Sequence, residues 1–188
     1  MNVEEARERI LAAAEELYYN KGYSAVGMDE LRSAAGVSLR RLYALFPSKV
    51  DIITAVLHDK QSEWETNLTE RVEAAPADPR ERLLAIYSYL QDWFASDGFR
   101  GCAFINAFGE LGGTHPQIAT IVRDQKAAFQ QYVSTLVRDL GAPDELAAQL
   151  SILAEGAQTT AAISADPAVA VQARSAAAVL IDSALRPA

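Results

Sequence analysis

Every long apolar segment of this 188-residue chain repeats its hydrophobic side chains at intervals of three and four residues. Such spacing places the side chains on one side of an α-helix, so each segment predicts an amphipathic helix. The sequence contains no run that alternates apolar and polar residues between hairpin turns, which is the pattern of a half-buried strand. We therefore predict an all-α fold.

Residues that start and stop helices lie between these segments. Gly22, directly after Asn20-Lys21, predicts the end of the first helix. Ser48 and Asp51 have the spacing of a capping box, which predicts a helix that runs to about residue 74. Further helices are predicted to start at Asp78-Pro79, at residues 114–117 and at Asp166-Pro167. A further helix end is predicted at residues 141–143.

Composition excludes several classes of protein. The longest stretch without a charged side chain, residues 111–122, has 12 residues, whereas a membrane span needs about 18. Acidic residues close to the N-terminus interrupt any secretory signal, so we expect a cytoplasmic protein. Two histidines and one cysteine predict no metal site. The sequence also lacks a nucleophile elbow and a glycine-rich phosphate loop, so we expect neither a cofactor nor an enzyme.

The charge is unevenly distributed along the chain. The formal net charge is −8, which by itself argues against a nucleic-acid partner. Residues 21–49, however, hold five basic side chains against only Asp29 and Glu30. The five are Lys21, Arg32, Arg40, Arg41 and Lys49. This basic island is either an ordinary solvated face or a nucleic-acid contact, and charge alone does not decide between them.

The basic island coincides with two short helices that are too small to bury a core alone. Residues 28–35 and 39–46 predict these helices, joined at Gly36-Val37. Two short helices around a glycine-containing turn form a helix-turn-helix. Gly36 permits a positive φ, and Ser38 is placed to cap the second helix. The side chains left outside on that helix are Leu39, Arg40, Arg41 and Tyr43.

One stretch of the chain closely resembles the DNA-binding segment of the TetR family of bacterial transcriptional regulators. The resemblance is carried by Gly22-Tyr23, by Ala35-Gly36-Val37-Ser38, by Leu42-Tyr43 and by Phe46-Pro47-Ser48-Lys49. It implies an N-terminal three-helix DNA-binding domain, residues 1–47, and a helical-bundle domain for ligand binding and dimerisation, residues 48–188. It also implies a homodimer that binds operator DNA and a small-molecule effector.

The same resemblance implies roles for individual residues of the basic island. Tyr43 and Lys49 resemble the phosphate contacts of the family, and Arg32 is a further DNA-binding candidate at a position where alanine is common. The base-facing positions of the family fall on Ser38, Leu39, Arg40, Arg41 and Ala44. An arginine in such a position reads guanine through its O6 and N7 atoms. Val26-Gly27 replaces the usual threonines, so the second helix is expected to lack a side-chain cap.

Aromatic residues are concentrated in the middle of the chain, which suggests an apolar ligand cavity. A plain hydrophobic core explains any single one of them equally well. The predicted ligand-binding residues are Trp64, Trp93, Phe94, Phe104, Asn106, Phe108, Gln125 and Phe129.

Small residues recur at three- and four-residue spacing in the last two helical segments. They favour close helix approach, either between two copies of the chain or within one copy. The predicted dimer interface consists of Gly156, Ala157, Thr160, Ala161, Ala173, Ala177 and Leu180.

Together these features predict a ligand-responsive transcriptional regulator, more often a repressor in this family, that binds a palindromic operator as a dimer and is released by a small apolar or aromatic effector. The alternative is a helical protein-interaction module that has lost DNA binding. The strongly acidic remainder of the chain and Gly27 favour that alternative. A small helical enzyme is a third, weaker hypothesis, because no catalytic constellation supports it.

Overall fold

The computed structural model describes residues 1–186 and is helical throughout that range, without strands, which confirms the all-α prediction. Nine helices occur within these residues. They are α1 (Val3–Lys21), α2 (Met28–Ala35), α3 (Leu39–Leu45), α4 (Lys49–Glu73), α5 (Pro79–Phe94), α6 (Ala103–Leu111), α7 (Pro116–Leu140), α8 (Glu145–Ser164) and α9 (Val169–Ala184). Among the described helices, none is both long and apolar enough to cross a membrane.

Local capping explains several of the helix ends. The Asn2 side chain caps α1 by accepting from the Glu5 N–H at 2.8 Å, and Gly22 ends the helix with φ 89°. At α4, the Ser48 N–H donates to the Asp51 carboxylate at 2.9 Å while the Asp51 N–H donates to the Ser48 Oγ at 3.3 Å. This reciprocal pair is the predicted capping box.

The last helix begins later than the sequence predicts. Asp166-Pro167 forms a turn, in which the Asp166 carboxylate accepts from the Ala168 N–H at 2.9 Å, and α9 itself runs from Val169. At α5 the prediction is confirmed, because Asp78 caps the helix and Pro79 is its first residue.

The chain divides into two compact units. The first comprises residues 1–63 and 103–124, and the second comprises residues 64–102 and the chain from Gln125 onward. The first unit therefore contains α6 and the start of α7 in addition to the helix-turn-helix. The predicted functional boundary after residue 47 remains a prediction.

Each unit has its own hydrophobic core. In the first unit α1 packs on α2 and α2 on α3, around buried residues such as Ile10, Leu31 and Leu42. In the second unit α5, α8 and α9 pack against one another, and Leu83, Leu150 and Ile181 lie in one continuous cluster. Burial of these apolar side chains provides the main driving force for folding of each unit.

Candidate nucleic-acid interface

The turn between α2 and α3 is shaped by Gly36. Its φ is 65°, in the left-handed region that favours glycine, and a Cβ atom there would lie 2.7 Å from the Arg9 guanidinium. The following residue, Val37, is buried, and its N–H donates to the Arg32 carbonyl at 3.0 Å. The backbone conformation therefore favours glycine at the predicted turn, whereas the Arg9 side chain could move aside for a Cβ atom.

The helix after this turn presents one arginine, one tyrosine and two aliphatic residues to solvent. Ser38 caps α3, as predicted, by accepting from the Arg41 N–H at 3.2 Å. Leu42 is fully buried and fixes the helix against the unit's core. The outward side chains are Leu39, Arg40, Tyr43 and Ala44. We call them the exposed face of α3. Gly27 at the start of α2 provides no side-chain cap, as expected.

Arg40 and Arg41, adjacent in sequence, have different surroundings. Arg40 is exposed and forms no ion pair within residues 1–186. The guanidinium of Arg41 is half-buried, and its Nη2 donates to the backbone carbonyls of Met1 and Asn2. The base contact of Arg41 therefore stays a prediction, and in this conformation its Nη2 binds the backbone at the start of the chain.

Two other members of the basic island are paired with acidic side chains. Arg32 contacts Asp29, one helical turn earlier in α2, at 2.8 Å. Lys21 pairs with Glu30. Both pairs are exposed, and Arg32 keeps much of its side chain accessible, so its proposed contact with DNA remains a prediction.

Lys49, the first residue of α4, lies beside the turn between α1 and α2. Its Nζ donates to the Ser24 carbonyl at 3.2 Å. Partial burial lowers the pKa of Lys49 below the usual lysine value, and the negative charge of Glu110 offsets part of that effect. The Lys49 ammonium therefore has a specific hydrogen-bond partner in this turn.

Glu110 in α6 is a residue that sequence reasoning missed, because an isolated carboxylate looks like an ordinary surface group. Its two oxygens accept from the N–H groups of Tyr23 at 3.1 Å and Ser24 at 2.7 Å. The phenol of Tyr23 donates to the Ala103 carbonyl at 3.1 Å, at the other end of α6. No local pattern reveals these contacts, since 80 or more residues separate the partners.

The predicted ligand-binding residues are divided between the two units. Phe104, Asn106 and Phe108 lie in the first unit, where Phe104 is buried and Phe108 is 43% exposed. Phe108 is therefore not part of the core of its unit. The remaining five residues lie in the second unit.

Trp93 and Phe94 belong to packed aromatic contacts of the second unit. Phe99 lies 5.2 Å from Trp93 and 4.8 Å from Phe94, between ring centroids. Close contacts of this kind are typical of a filled core. The expectation that these two residues line a cavity is therefore not supported by their surroundings.

Trp64 and Phe129 do border an open space. Their rings meet edge to face at 5.3 Å, and beside them lies a groove of about 170 Å³. The groove is lined by Trp64, Glu65, Leu68, Thr69, Ala128, Phe129 and Tyr132. We call it the α4–α7 groove. Gln125 lies elsewhere, buried, and its Oε1 accepts no hydrogen bond from any described residue.

The predicted dimer residues fall into two groups. Ala157, Ala161, Ala173 and Ala177 are buried in the second unit's own core, so intramolecular packing explains them. Their assignment to a surface between two chains is wrong. Gly156 and Thr160 are exposed, and Leu180 is half-buried. Sequence reasoning missed the exposed apolar side chains of these helices, Ile152, Ile163, Val171 and Val179.

Cys102 is buried, as expected for a small core residue. The sequence places no lysine or histidine beside it, but the fold brings Lys126 of α7 to 3.4 Å from its Sγ. Lys126 also forms an ion pair with Glu155 at 2.7 Å. Within the described residues, no group of three or more histidine, cysteine or carboxylate side chains is arranged to hold a metal ion.

Comparison with known proteins agrees with this geometry. Residues 10–56 match the family model described as bacterial regulatory proteins, tetR family. The chain is 33% identical over 141 residues to the transcriptional activator FasR of Mycolicibacterium smegmatis, covering 73% of this chain and 62% of FasR. It is 29% identical over 108 residues to the transcriptional repressor NemR of Escherichia coli, covering 57% of this chain and 54% of NemR. The alignments thus span little more than half of these curated relatives.

Solved structures match over nearly the whole chain. A TetR-family regulator from Streptomyces coelicolor superposes with a TM-score of 0.90 at 28% identity, covering 97% of both chains. A TetR-type regulator from Streptomyces avermitilis superposes with a TM-score of 0.80 at 32% identity, covering 95% of this chain and 97% of that one. All four relatives are named as transcriptional regulators, in line with the prediction of a non-catalytic protein. With its helix-turn-helix and helical second unit, the chain belongs to the TetR family of bacterial transcriptional regulators.

Proposed function

We propose that the protein is a ligand-responsive repressor that binds a palindromic operator as a homodimer. The observation that carries the proposal is the exposed face of α3, where a capped helix presents Arg40 and Tyr43 to solvent beside a glycine-dependent turn. In a helix-turn-helix dimer, two such helices enter successive major grooves about 34–36 Å apart. The excess of basic residues in the segment 21–49 of an otherwise acidic chain fits that docking mode.

The two neighbouring arginines have different proposed roles. Arg40 is free to reach a base edge, and a guanidinium there binds guanine O6 and N7 bidentately. Arg41 stabilises the packing of α3 against the start of α1 through the carbonyls of Met1 and Asn2. Tyr43 and Lys49 are the proposed phosphate contacts, which position the helix without reading sequence.

The proposed dimer interface is the exposed apolar side of α8 and α9. On α8, Ile152, Gly156, Thr160 and Ile163 follow one another at helical spacing, and the two isoleucines are 73% and 83% exposed. On α9, Val179 is 68% exposed. Large apolar side chains at such exposure are costly in water, and a second copy of the chain would cover them. The small Gly156 between the isoleucines permits close approach of two helices.

The proposed effector is a small apolar or aromatic molecule, and the α4–α7 groove is its proposed site. The volume of the groove, about 170 Å³, is close to that of a cavity of roughly 150 Å³ known to hold benzene. Trp64, Phe129 and Tyr132 offer aromatic surfaces to such a molecule. Bound ligand would favour one conformation of the dimer and change DNA affinity by the coupling free energy between the two sites.

Selection from a random pool of duplexes tests the proposal. We expect enrichment of a palindrome whose half-sites are one helical turn apart, and an affinity that falls steeply with salt. Enrichment of no sequence, with an affinity insensitive to salt, would instead indicate a protein-interaction module without DNA binding. Transcription in vitro from a promoter that carries the palindrome then separates repression from activation. This measurement is needed because one relative is named an activator and another a repressor.

A further inference from the structure

We propose that Glu110 is a positioning residue that fixes the phosphate-contacting Lys49 by way of the turn between α1 and α2. We call this arrangement the Glu110 latch. The inference rests on the proposed function, because it assigns Lys49 a role in DNA binding. All the groups that it uses lie in the first compact unit.

Ser24 is the link between the two charged side chains. Its N–H donates to the Glu110 carboxylate at 2.7 Å, and its carbonyl accepts from the Lys49 Nζ at 3.2 Å. Ser24 is thus hydrogen-bonded to α6 through its N–H and to the first residue of α4 through its carbonyl. Hydrogen bonds with one charged partner are stronger than neutral ones, so both contacts favour this placement of Lys49.

The approach of Glu110 to the turn depends on close backbone packing. A Cβ atom at Gly22 would lie 3.0 Å from the Glu110 Oε1, and the φ of Gly22, 89°, also favours glycine. The same carboxylate oxygen accepts from the Tyr23 N–H at 3.1 Å. The carboxylate therefore sits against three consecutive residues, from Gly22 to Ser24, and fits the turn closely.

The helix that carries Glu110 is itself held at its opposite end. Tyr23 is 3% exposed, stacks on Tyr18 at 5.2 Å and donates through its phenol to the Ala103 carbonyl. The α1–α2 turn is therefore tied to both the first turn and the last turn of α6. A displacement of α6 would change the turn, and with it the partner of Lys49.

The latch predicts the sign of a charge effect. Removing a negative charge from a DNA-binding unit ordinarily strengthens DNA binding, because repulsion of phosphate decreases. Removing Glu110 should weaken it, because Lys49 and the turn lose their fixed position. Glu16 is an exposed carboxylate of α1 in the same unit, and Glu16→Ala is the matched control for charge.

The first measurement uses the protein without DNA. In Glu110→Ala, hydrogen exchange of the Ser24 and Tyr23 amides should accelerate by about tenfold, because both lose a charge-assisted acceptor. Glu110→Gln retains one acceptor oxygen and should give an intermediate exchange rate. Glu16→Ala should leave the exchange rates of both amides unchanged. Unchanged exchange in Glu110→Ala would overturn the latch independently of any DNA result.

The second measurement is affinity for the duplex selected by the wild-type protein. Glu110→Ala should bind about three- to tenfold more weakly, the equivalent of one lost hydrogen bond, with partial recovery in Glu110→Gln. In the Lys49→Ala background, Glu110→Ala should have little further effect, because the two residues act through one contact. Tighter binding by Glu110→Ala, as expected for Glu16→Ala, would overturn the proposal. Failure of the wild type to select any duplex would reject the proposed function instead.

Discussion

Arg41 donates through its Nη2 to the backbone carbonyl of Asn2 at 2.6 Å. A second bond from the same nitrogen reaches the Met1 carbonyl at 3.3 Å. The Arg41 Nε is buried and has no hydrogen-bond acceptor among the described residues. The Arg41 guanidinium thus binds backbone carbonyls at the start of the chain. The family motif, by contrast, predicts that Arg41 faces DNA bases.

The first prediction separates the two arginines of α3. Arg40→Ala should cost about 1–3 kcal/mol at one base pair of each half-site and relax the preference there, because it removes a bidentate base contact. Arg41→Ala should change affinity for all sequences alike, because it loosens the packing of α3. Affinities for a set of single-base-pair operator variants measure both effects. A base-specific loss in Arg41→Ala would show that Arg41 leaves the Asn2 carbonyl when DNA binds.

The second prediction concerns salt. Lys49→Ala should weaken binding to every sequence and reduce the slope of log affinity against log salt by about 0.9 per lost phosphate contact. Lys60, which lies in the same unit and pairs with Glu15 and Glu63, is the control, and Lys60→Ala should leave the slope unchanged. An unchanged slope in Lys49→Ala would mean that this lysine does not contact phosphate.

The third prediction concerns pH. Partial burial lowers the pKa of Lys49, and only the protonated ammonium attracts phosphate. As pH rises through that lowered pKa, DNA affinity should begin to fall at a lower pH than for an ordinary exposed lysine. Lys49→Arg keeps its charge over the whole range and should abolish this alkaline decline. Titration of binding from neutral to alkaline pH measures the difference, and identical profiles would contradict the assignment.

The fourth prediction concerns assembly. Ile163→Arg and Val179→Arg place a charge in the proposed interface and should give folded monomers with much weaker operator binding. Ala161→Arg is different, because Ala161 is 2% exposed within its own unit. That variant should lower the melting temperature through overpacking of the core. Sedimentation and thermal melting distinguish the two outcomes. Dimers that persist in both Ile163→Arg and Val179→Arg would place the interface on another surface.

The fifth prediction concerns the α4–α7 groove. The chain has two tryptophans, so Trp93→Phe leaves Trp64 as the only indole reporter, beside the groove. Phenol or toluene should quench its fluorescence and raise the melting temperature, because the ligand binds the folded state. Ala128→Phe should fill the groove and abolish both effects. The neighbouring Ala127→Phe does not line the groove and serves as the control. Equal responses in these two variants would exclude the groove as the binding site.

Replacing Phe129 or Phe108 with alanine should lower the free energy of unfolding by different amounts. Phe129 is 3% exposed, and Phe129→Ala should cost about 3–5 kcal/mol of unfolding free energy. Phe108 is 43% exposed, so Phe108→Ala should cost about 1 kcal/mol or less. Denaturant unfolding measures both values. Equal losses of unfolding free energy in the two variants would show that Phe108 packs as tightly as Phe129 despite its exposure.

The sequence alone determined the features that depend on near neighbours in the chain. The helix-turn-helix bounds at Met28 and Ala35, the Ser38 cap and the Ser48–Asp51 capping box were all predictable. Caps, glycine turns and helical periodicity involve residues within four positions of one another, so their energetics can be inferred from a short window. For the same reason the family could be identified from a motif of fewer than thirty residues.

Only the tertiary structure decided which faces of the helices meet. In the last turns of α8, from Thr159 to Ser164, every position is apolar or small, so periodicity could not distinguish the buried Ala161 from the exposed Ile163. Glu110 reaches Ser24 across 86 residues, and the start of α1 reaches Arg41 across 39. Such contacts depend on how separate helices pack, because hydrogen bonds and burial are set by distance in space and not by distance along the chain.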